Sequence, residues 1–297
     1  MRKEFEGIIT ALITPFTPSG EVEEDALRDV TDFLIEHGIH GLYPCGTAGE
    51  GMIMSLEDRK RVAEIVIDQT SGRIPVMVHV GAARTSETVE LAKHAEDAGA
   101  DAIGCVTPYY YSPDEEALIE HYRLVADAVS IPLFIYNIPR NTNVNITPEL
   151  MLKLLKLPNI VGLKDSSGNF IQVLEFIRKL PPETKIITGA DAYIFPALVM
   201  GAKGVITAYS NPFPEIFLEL YNAYQIKDWE NARKMQLRIN MLRSFLSNPP
   251  ISPLKEALRM RGHYAGTVKR PLRPMTEEEK ETLQKKLIET GFMKGQL

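Results

Sequence analysis

A chain of 297 residues, 44% hydrophobic and 24% charged, has ordinary globular composition and can bury a large core. Its formal net charge of −6 and pI of about 5.6, without any basic stretch, exclude the electrostatic footprint of a general nucleic-acid binder and favour small-molecule ligands. The two cysteines, Cys45 and Cys105, sit in apolar runs with no C-x-x-C pattern, which excludes a disulfide framework or structural zinc site and fits a reducing, cytoplasmic setting. Met1 to Glu6 carry charges of both signs with no apolar h-region behind them, so no secretory signal is expected. No apolar run approaches the roughly 18 residues of a membrane span.

Taken in chain order, short β-branched runs alternate with amphipathic helical stretches. The predicted strands are Gly7–Thr14, Gly41–Gly46, Pro75–Gly81, Ala102–Pro108, Pro132–Asn137, Ile160–Asp165, Lys185–Ala190 and Gly204–Tyr209. Helix starts are marked by Ser55, by Ser86, by Ser112-Pro113 and by Thr147-Pro148, and helix exits by Gly38 and Gly99. Nearly continuous apolar strands, each followed by a helix, indicate a parallel sheet covered by helices. An open doubly wound sheet would show G-x-G-x-x-G after its first strand, and Pro15-Phe16-Thr17-Pro18 stands there instead. The pattern therefore predicts an α/β protein, a (β/α)8 TIM barrel over residues 1–224. From Pro214 only helices follow, predicted at Glu215–Gln225, Trp229–Leu246, Pro253–Arg261 and Thr276–Thr290; residues 225–297 form a C-terminal helical extension packed on the barrel.

Functional groups of such a barrel project from the C-terminal ends of its strands. Lys164 ends the apolar run Ile160-Val161-Gly162-Leu163, where desolvation would lower its pKa and leave neutral amine able to attack a carbonyl, the requirement of Schiff-base catalysis. A lysine there can equally reach solvent or pair with Asp165. Tyr136 ends the adjacent strand within reach of that amine, as a proton carrier or as a solvent-facing aromatic. The turn Gly46-Thr47-Ala48-Gly49-Glu50 offers successive backbone N–H groups, suited to a carboxylate or simply to a tight βα turn. No lysine follows it in the P-loop manner, and the six histidines form no H-x-x-x-H pair, so neither a nucleotide cofactor nor a catalytic metal is expected.

Together, Gly46-Thr47-Ala48-Gly49-Glu50, Tyr109-Tyr110, Tyr136-Asn137-Ile138-Pro139 and Gly162-Leu163-Lys164-Asp165 resemble the dihydrodipicolinate synthase / N-acetylneuraminate lyase family of pyruvate-dependent class I aldolases. The resemblance extends into the tail, from Pro253-Leu254-Lys255 through Arg270-Pro271-Leu272. It implies a homo-oligomeric barrel, tetramer or dimer, that needs no cofactor and acts on pyruvate and an aldehyde, or on the 2-keto acid they form. By motif, Lys164 is the nucleophile, Tyr136 the proton shuttle, and Thr47 the hydroxyl joining Tyr136 to Tyr110, a residue that in the family often reaches a neighbouring subunit's site. The resemblance also implies that backbone N–H groups around Thr47, Ala48 and Gly49 hold the pyruvate carboxylate, with Gly189 and Ile206 lining the pocket.

The departures bear on substrate. Ala48 stands where family members commonly have a second hydroxyl residue. Asn141 stands where dihydrodipicolinate synthases have the arginine that grips aspartate semialdehyde, and Arg140 is one residue off. Asp191 matches a sugar-hydroxyl contact of the neuraminate lyases, but Ala192 and Ala208 replace further polar contacts. A polar Asn141-Thr142-Asn143 loop with Asp191 suits a hydroxylated aldehyde, so the expected activity is that of a 2-keto-3-deoxygluconate-type aldolase. The alternatives are 4-hydroxy-tetrahydrodipicolinate synthase, condensing pyruvate with aspartate semialdehyde in lysine biosynthesis, and a catalytically silent, ligand-binding barrel. Val144 to Ile146 and the Tyr110-Tyr111 pair are expected to shape the aldehyde pocket.

Overall fold

The computed structural model describes residues 4–246 and 251–294. Eight parallel strands form its centre: β1 (Gly7–Thr10), β2 (Gly41–Leu42), β3 (Met77–His79), β4 (Ala102–Val106), β5 (Leu133–Asn137), β6 (Ile160–Asp165), β7 (Lys185–Thr188) and β8 (Gly204–Thr207). Their hydrogen-bonded order is β2-β1-β8-β7-β6-β5-β4-β3, and a parallel bridge from Leu42 to Val76 closes the ring between β2 and β3. The barrel read from the alternation is thus the observed fold. Most strands are shorter than the apolar runs that announced them. In β2 the ladder stops at Leu42, and the chain turns at once, with Cys45 in the left-handed region at φ 61°.

The helices between strands are α1 (Glu24–Glu36), α2 (Leu56–Thr70), α3 (Thr85–Asp97), α4 (Glu115–Ala126), the short α5 (Pro139–Thr142) and α6 (Pro148–Leu154), α7 (Phe170–Lys179) and α8 (Ile194–Met200). The Ser55 hydroxyl accepts from the Asp58 N–H, and Thr147 accepts from Leu150 ahead of Pro148, so both predicted caps form. Two others do not: α3 is entered through Arg84, with Ser86 inside the helix, and α4 is capped by the Asp114 carboxylate rather than by Ser112. Asp114 is the better cap because its oxygen meets the Ala117 N–H at 2.9 Å, three residues on.

Two apolar shells result. Inside the barrel, Ile9, Met77, Val106, Phe134, Tyr136, Ile187 and Ile206 pack together. Between strands and helices lies a larger core that includes Val144 and Ile146, both buried. These two residues therefore anchor the loop after α5 and do not line a substrate pocket, contrary to the sequence expectation. Each large side chain so buried contributes roughly 1.5–3 kcal/mol.

The last helices are α9 (Pro214–Gln225), α10 (Trp229–Phe245), α11 (Ile251–Met260) and α12 (Glu277–Glu289). They are fastened to the barrel mouth at several points. Gln236 of α10 accepts from the Phe195 N–H and donates to the Asp191 carbonyl, both at 2.8 Å, and Asn240 donates to the Ala192 carbonyl. From α11, Lys255 forms a fully buried ion pair of 2.5 Å with Glu50, whose other oxygen accepts from the Lys269 N–H at 2.7 Å.

Candidate active site

Strand register assembles the site. Val106, Tyr136, Lys164 and Ile187 are successive partners across β4, β5, β6 and β7, so their side chains share one level and point into the barrel. Lys164 is 5% exposed, and its Nζ lies 4.1 Å from the Tyr136 ring centre and 4.5 Å from that of Tyr43. Burial pushes the ammonium pKa down; the Tyr136 hydroxyl, which hydrogen-bonds it, and the more distant Asp191 carboxylate offset only part of that. Asp165 is not its partner. That carboxylate faces the other way, accepting from Asn137, Ser167 and Gln172.

The Tyr136 phenol is pushed up by burial, yet the Lys164 charge and hydrogen bonds with Thr47, Ser166 and Lys164 outweigh burial and hold it below its ordinary value. Thr47 Oγ1 stands 3.4 Å from its hydroxyl oxygen. Lys164 and Tyr136 are therefore a coupled pair, the pKa of each held below its ordinary value. Gly189 is required beside them. A Cβ there would stand 1.9 Å from Ser166 Oγ and 3.1 Å from Lys164 Cε.

After β2, the Thr47 and Ala48 N–H groups donate to no described residue. Glu50, at φ 60°, bends the turn back, and Gly51 N–H closes it on the Gly46 carbonyl. Two free donors beside Tyr136 form a nest for an anion. Ile206 is buried inside the barrel. Thr47, Tyr136, Tyr109, Asn141 and His79 line a cavity of about 270 Å3, and Arg140 joins Thr47 and Asn141 around an adjoining one of about 390 Å3. Asp191 lies deep at the end of β7, with its Oδ1 unpartnered; burial raises its pKa to about 6, against the effect of a Thr207 hydrogen bond and the Arg243 charge. Tyr110 does not join this group. It is 81% exposed, at φ 79°, and among the described residues its ring meets only that of Tyr111, at 5.0 Å. Within one chain the expected Thr47–Tyr110 link is not made.

The model of the "Dihydrodipicolinate synthetase family" matches residues 4–290. The chain belongs to this family. As a member of the dihydrodipicolinate synthetase family it is a carbon–carbon lyase of the pyruvate-dependent, Schiff-base class. It is 40% identical to a 4-hydroxy-tetrahydrodipicolinate synthase of Syntrophus aciditrophicus, over 97% of this chain and 99% of that one. A synthase of the same name from Methanothrix thermoacetophila is 38% identical, covering 99% of each chain. Among solved structures, dihydrodipicolinate synthase from Aquifex aeolicus superposes with a TM-score of 0.91 at 35% identity, covering 97% of this chain and 98% of that one. A prophage protein of the same family from E. coli K12, solved with pyruvate, gives 0.94 at 31%, covering 97% and 99%.

Three features of this family member escape sequence reading. Ser166, one residue past β6, contacts the Tyr136 hydroxyl. Arg59, 3% exposed on α2, donates to the carbonyls of His79 and Gly81, and its proximity to His79 Nδ1 (3.3 Å) makes that nitrogen an acceptor. His79 is thereby neutral, its pKa pushed far down by burial first and then by Arg59 and Lys164; its Nε2 is unpartnered, and its ring meets that of Tyr136 edge to face at 5.9 Å. Arg243 of α10 hydrogen-bonds Tyr209 at the end of β8. Among the described residues no group of three His, Cys, Asp or Glu side chains is arranged to hold a metal, and no helix is long and apolar enough to cross a membrane.

Proposed function

We propose that Lys164 attacks the keto carbon of pyruvate and that the resulting imine is the working intermediate. The nitrogen adds to the carbonyl, the oxygen is protonated and leaves as water, and the C=N+ bond forms. Loss of a methyl proton gives an enamine, whose carbon adds to an aldehyde; the reverse path cleaves a 2-keto-4-hydroxy acid. Tyr136 carries the protons for water loss and for the new hydroxyl, with Thr47 as its hydrogen-bonded partner. The N–H groups of Thr47, Ala48 and Gly49 receive the pyruvate carboxylate, and Gly189 and Ile206 shape its pocket. The observation that supports this most is the buried Lys164 ammonium held against the Tyr136 hydroxyl with no carboxylate paired to it.

Tyr110, turned outward on an exposed aromatic pair, serves a second copy of the chain in a homo-oligomer, dimer or tetramer. Residues 225–297 act as a helical subdomain that braces the barrel mouth. For the aldehyde, the names of the relatives support aspartate semialdehyde, and hence 4-hydroxy-tetrahydrodipicolinate synthase activity in the cytoplasm, better than the sugar-acid aldolase reading put first from the sequence. One observation favours the second reading: Asn141, with Arg140 on the same exposed turn, leaves an amide where a guanidinium would hold the semialdehyde's carboxylate. Borohydride reduction in the presence of pyruvate, with intact mass and peptide mapping, tests the core of the proposal. A pyruvate-sized adduct on Lys164 is expected; folded protein without one overturns it.

A further inference from the structure

We infer that Arg243 binds the carboxylate of the aldehyde substrate, supplying from helix α10 the cation that the Asn141 loop lacks. This rests on the pyruvate-imine reading and names the second substrate's class, an aldehyde bearing a carboxylate. Gln236, Asn240 and Arg243 follow one another at four- and three-residue steps and so share one face of α10. The first two are hydrogen-bonded to the carbonyls of Asp191 and Ala192, which fixes that face over the turn following β7. Arg243 is the next residue along the stripe, half-buried, and it donates to the Tyr209 hydroxyl. No carboxylate among the described residues is ion-paired with it. A guanidinium has five donors, and one tyrosine occupies only part of that capacity.

The surroundings fit an acceptor aldehyde rather than a structural role. Asp191, whose carboxylate feels the Arg243 charge, keeps an unpartnered Oδ1 in the interior and acts electrostatically on Lys164. An aldehyde approaching the enamine on Lys164 would therefore meet an acceptor at Asp191 and a cation at Arg243, the pairing an α-amino acid unit presents in reverse. Planar bidentate recognition of a carboxylate is what arginine does best. Arg140 is the rival cation, since its charge also reaches Tyr209, but it sits on the exposed four-residue α5, whereas the Arg243 helix is pinned.

The test uses a matched pair of aldehydes, succinate semialdehyde and butyraldehyde, of the same length and differing in the terminal carboxylate. Pyruvate consumption is followed for the intact protein, Arg243→Gln, Arg243→Lys and Arg140→Gln, and borohydride trapping of pyruvate alone monitors Lys164 in each. The intact protein is expected to prefer the carboxylated member. Arg243→Gln is expected to lower the ratio of the two kcat/KM values about 30- to 100-fold through KM, with the pyruvate adduct still formed, and Arg243→Lys to restore part of it. Absence of a preference in the intact protein overturns the inference. So does a ratio that survives Arg243→Gln, or one that collapses in Arg140→Gln instead. Failure to trap pyruvate on the intact protein overturns the imine reading itself, and the separate trapping arm keeps these failures apart.

Discussion

Lys164 and Lys255 lie in two regions of the molecule and are buried to nearly the same degree, 5% and 2% exposed, and burial lowers the pKa of each. Their surroundings differ in one respect. Lys255 touches the Glu50 carboxylate at 2.5 Å and donates also to the Thr267 carbonyl at 2.6 Å, whereas Lys164 has a phenol and two aromatic faces. Burial alone thus does not decide what a lysine does. The ammonium that is paired becomes a strut, and the one left without a carboxylate is held ready to lose its proton.

Removing each charge should separate these roles. Lys164→Met is expected to lower kcat by about 10^4-fold or more and abolish the borohydride adduct, while the urea midpoint stays the same or rises because an unpaired buried charge is gone. A midpoint that falls steeply would show Lys164 to be structural as well. Lys255→Met leaves Glu50 buried without its cation and should cost about 3–5 kcal/mol in urea unfolding, most of it recovered when Glu50→Gln is added. No recovery in the double variant would mean that the pair is not the unit that matters.

Asp191 supplies the pH-dependent case. Folded, it keeps its proton up to about 6 instead of 3.8, so between those values the native state binds more protons than the unfolded chain. Stability from this group therefore declines as pH rises through that window, and the cost is full above it. Asp191→Asn should stabilise the protein by up to about 3 kcal/mol at pH 7.5 and by much less at pH 4.5, measured as unfolding free energies at the two pH values. An equal gain at both would rule out titration as the cause. The smallest effect expected is that of Tyr136→Phe, a fall in kcat of about 100-fold with pyruvate still trapped on Lys164. An unchanged kcat would place proton transfer elsewhere.

The barrel and the Lys164–Tyr136 pair were legible because both follow from local pattern. Eight apolar runs at regular spacing define the strands, and a residue's position at a strand's C-terminal end sets its level in a closed barrel. Ile160–Asp165 is observed with the bounds read from sequence, since a buried parallel strand is one unbroken apolar run. What was not legible depends on elements far apart in the chain. Arg243 meets Tyr209 only because Gln236 and Asn240 seat α10 over the turn after β7, and nothing in the periodicity of that helix encodes the docking. The outward turn of Tyr110 follows from backbone at φ 79° and suits the neighbouring-subunit role that the resemblance implies for it.

The Glu50–Lys255–Lys269 junction joins the turn that presents the Thr47 and Ala48 N–H groups to chain more than 200 residues later. The C-terminal segment thereby braces a turn that lies early in the chain. All eight strands precede α11 in the chain, so the turn after β2 gains its buried ion pair only when α11 docks. Loosening α11 would therefore be felt at the turn carrying the Thr47 and Ala48 N–H groups, far from it in sequence.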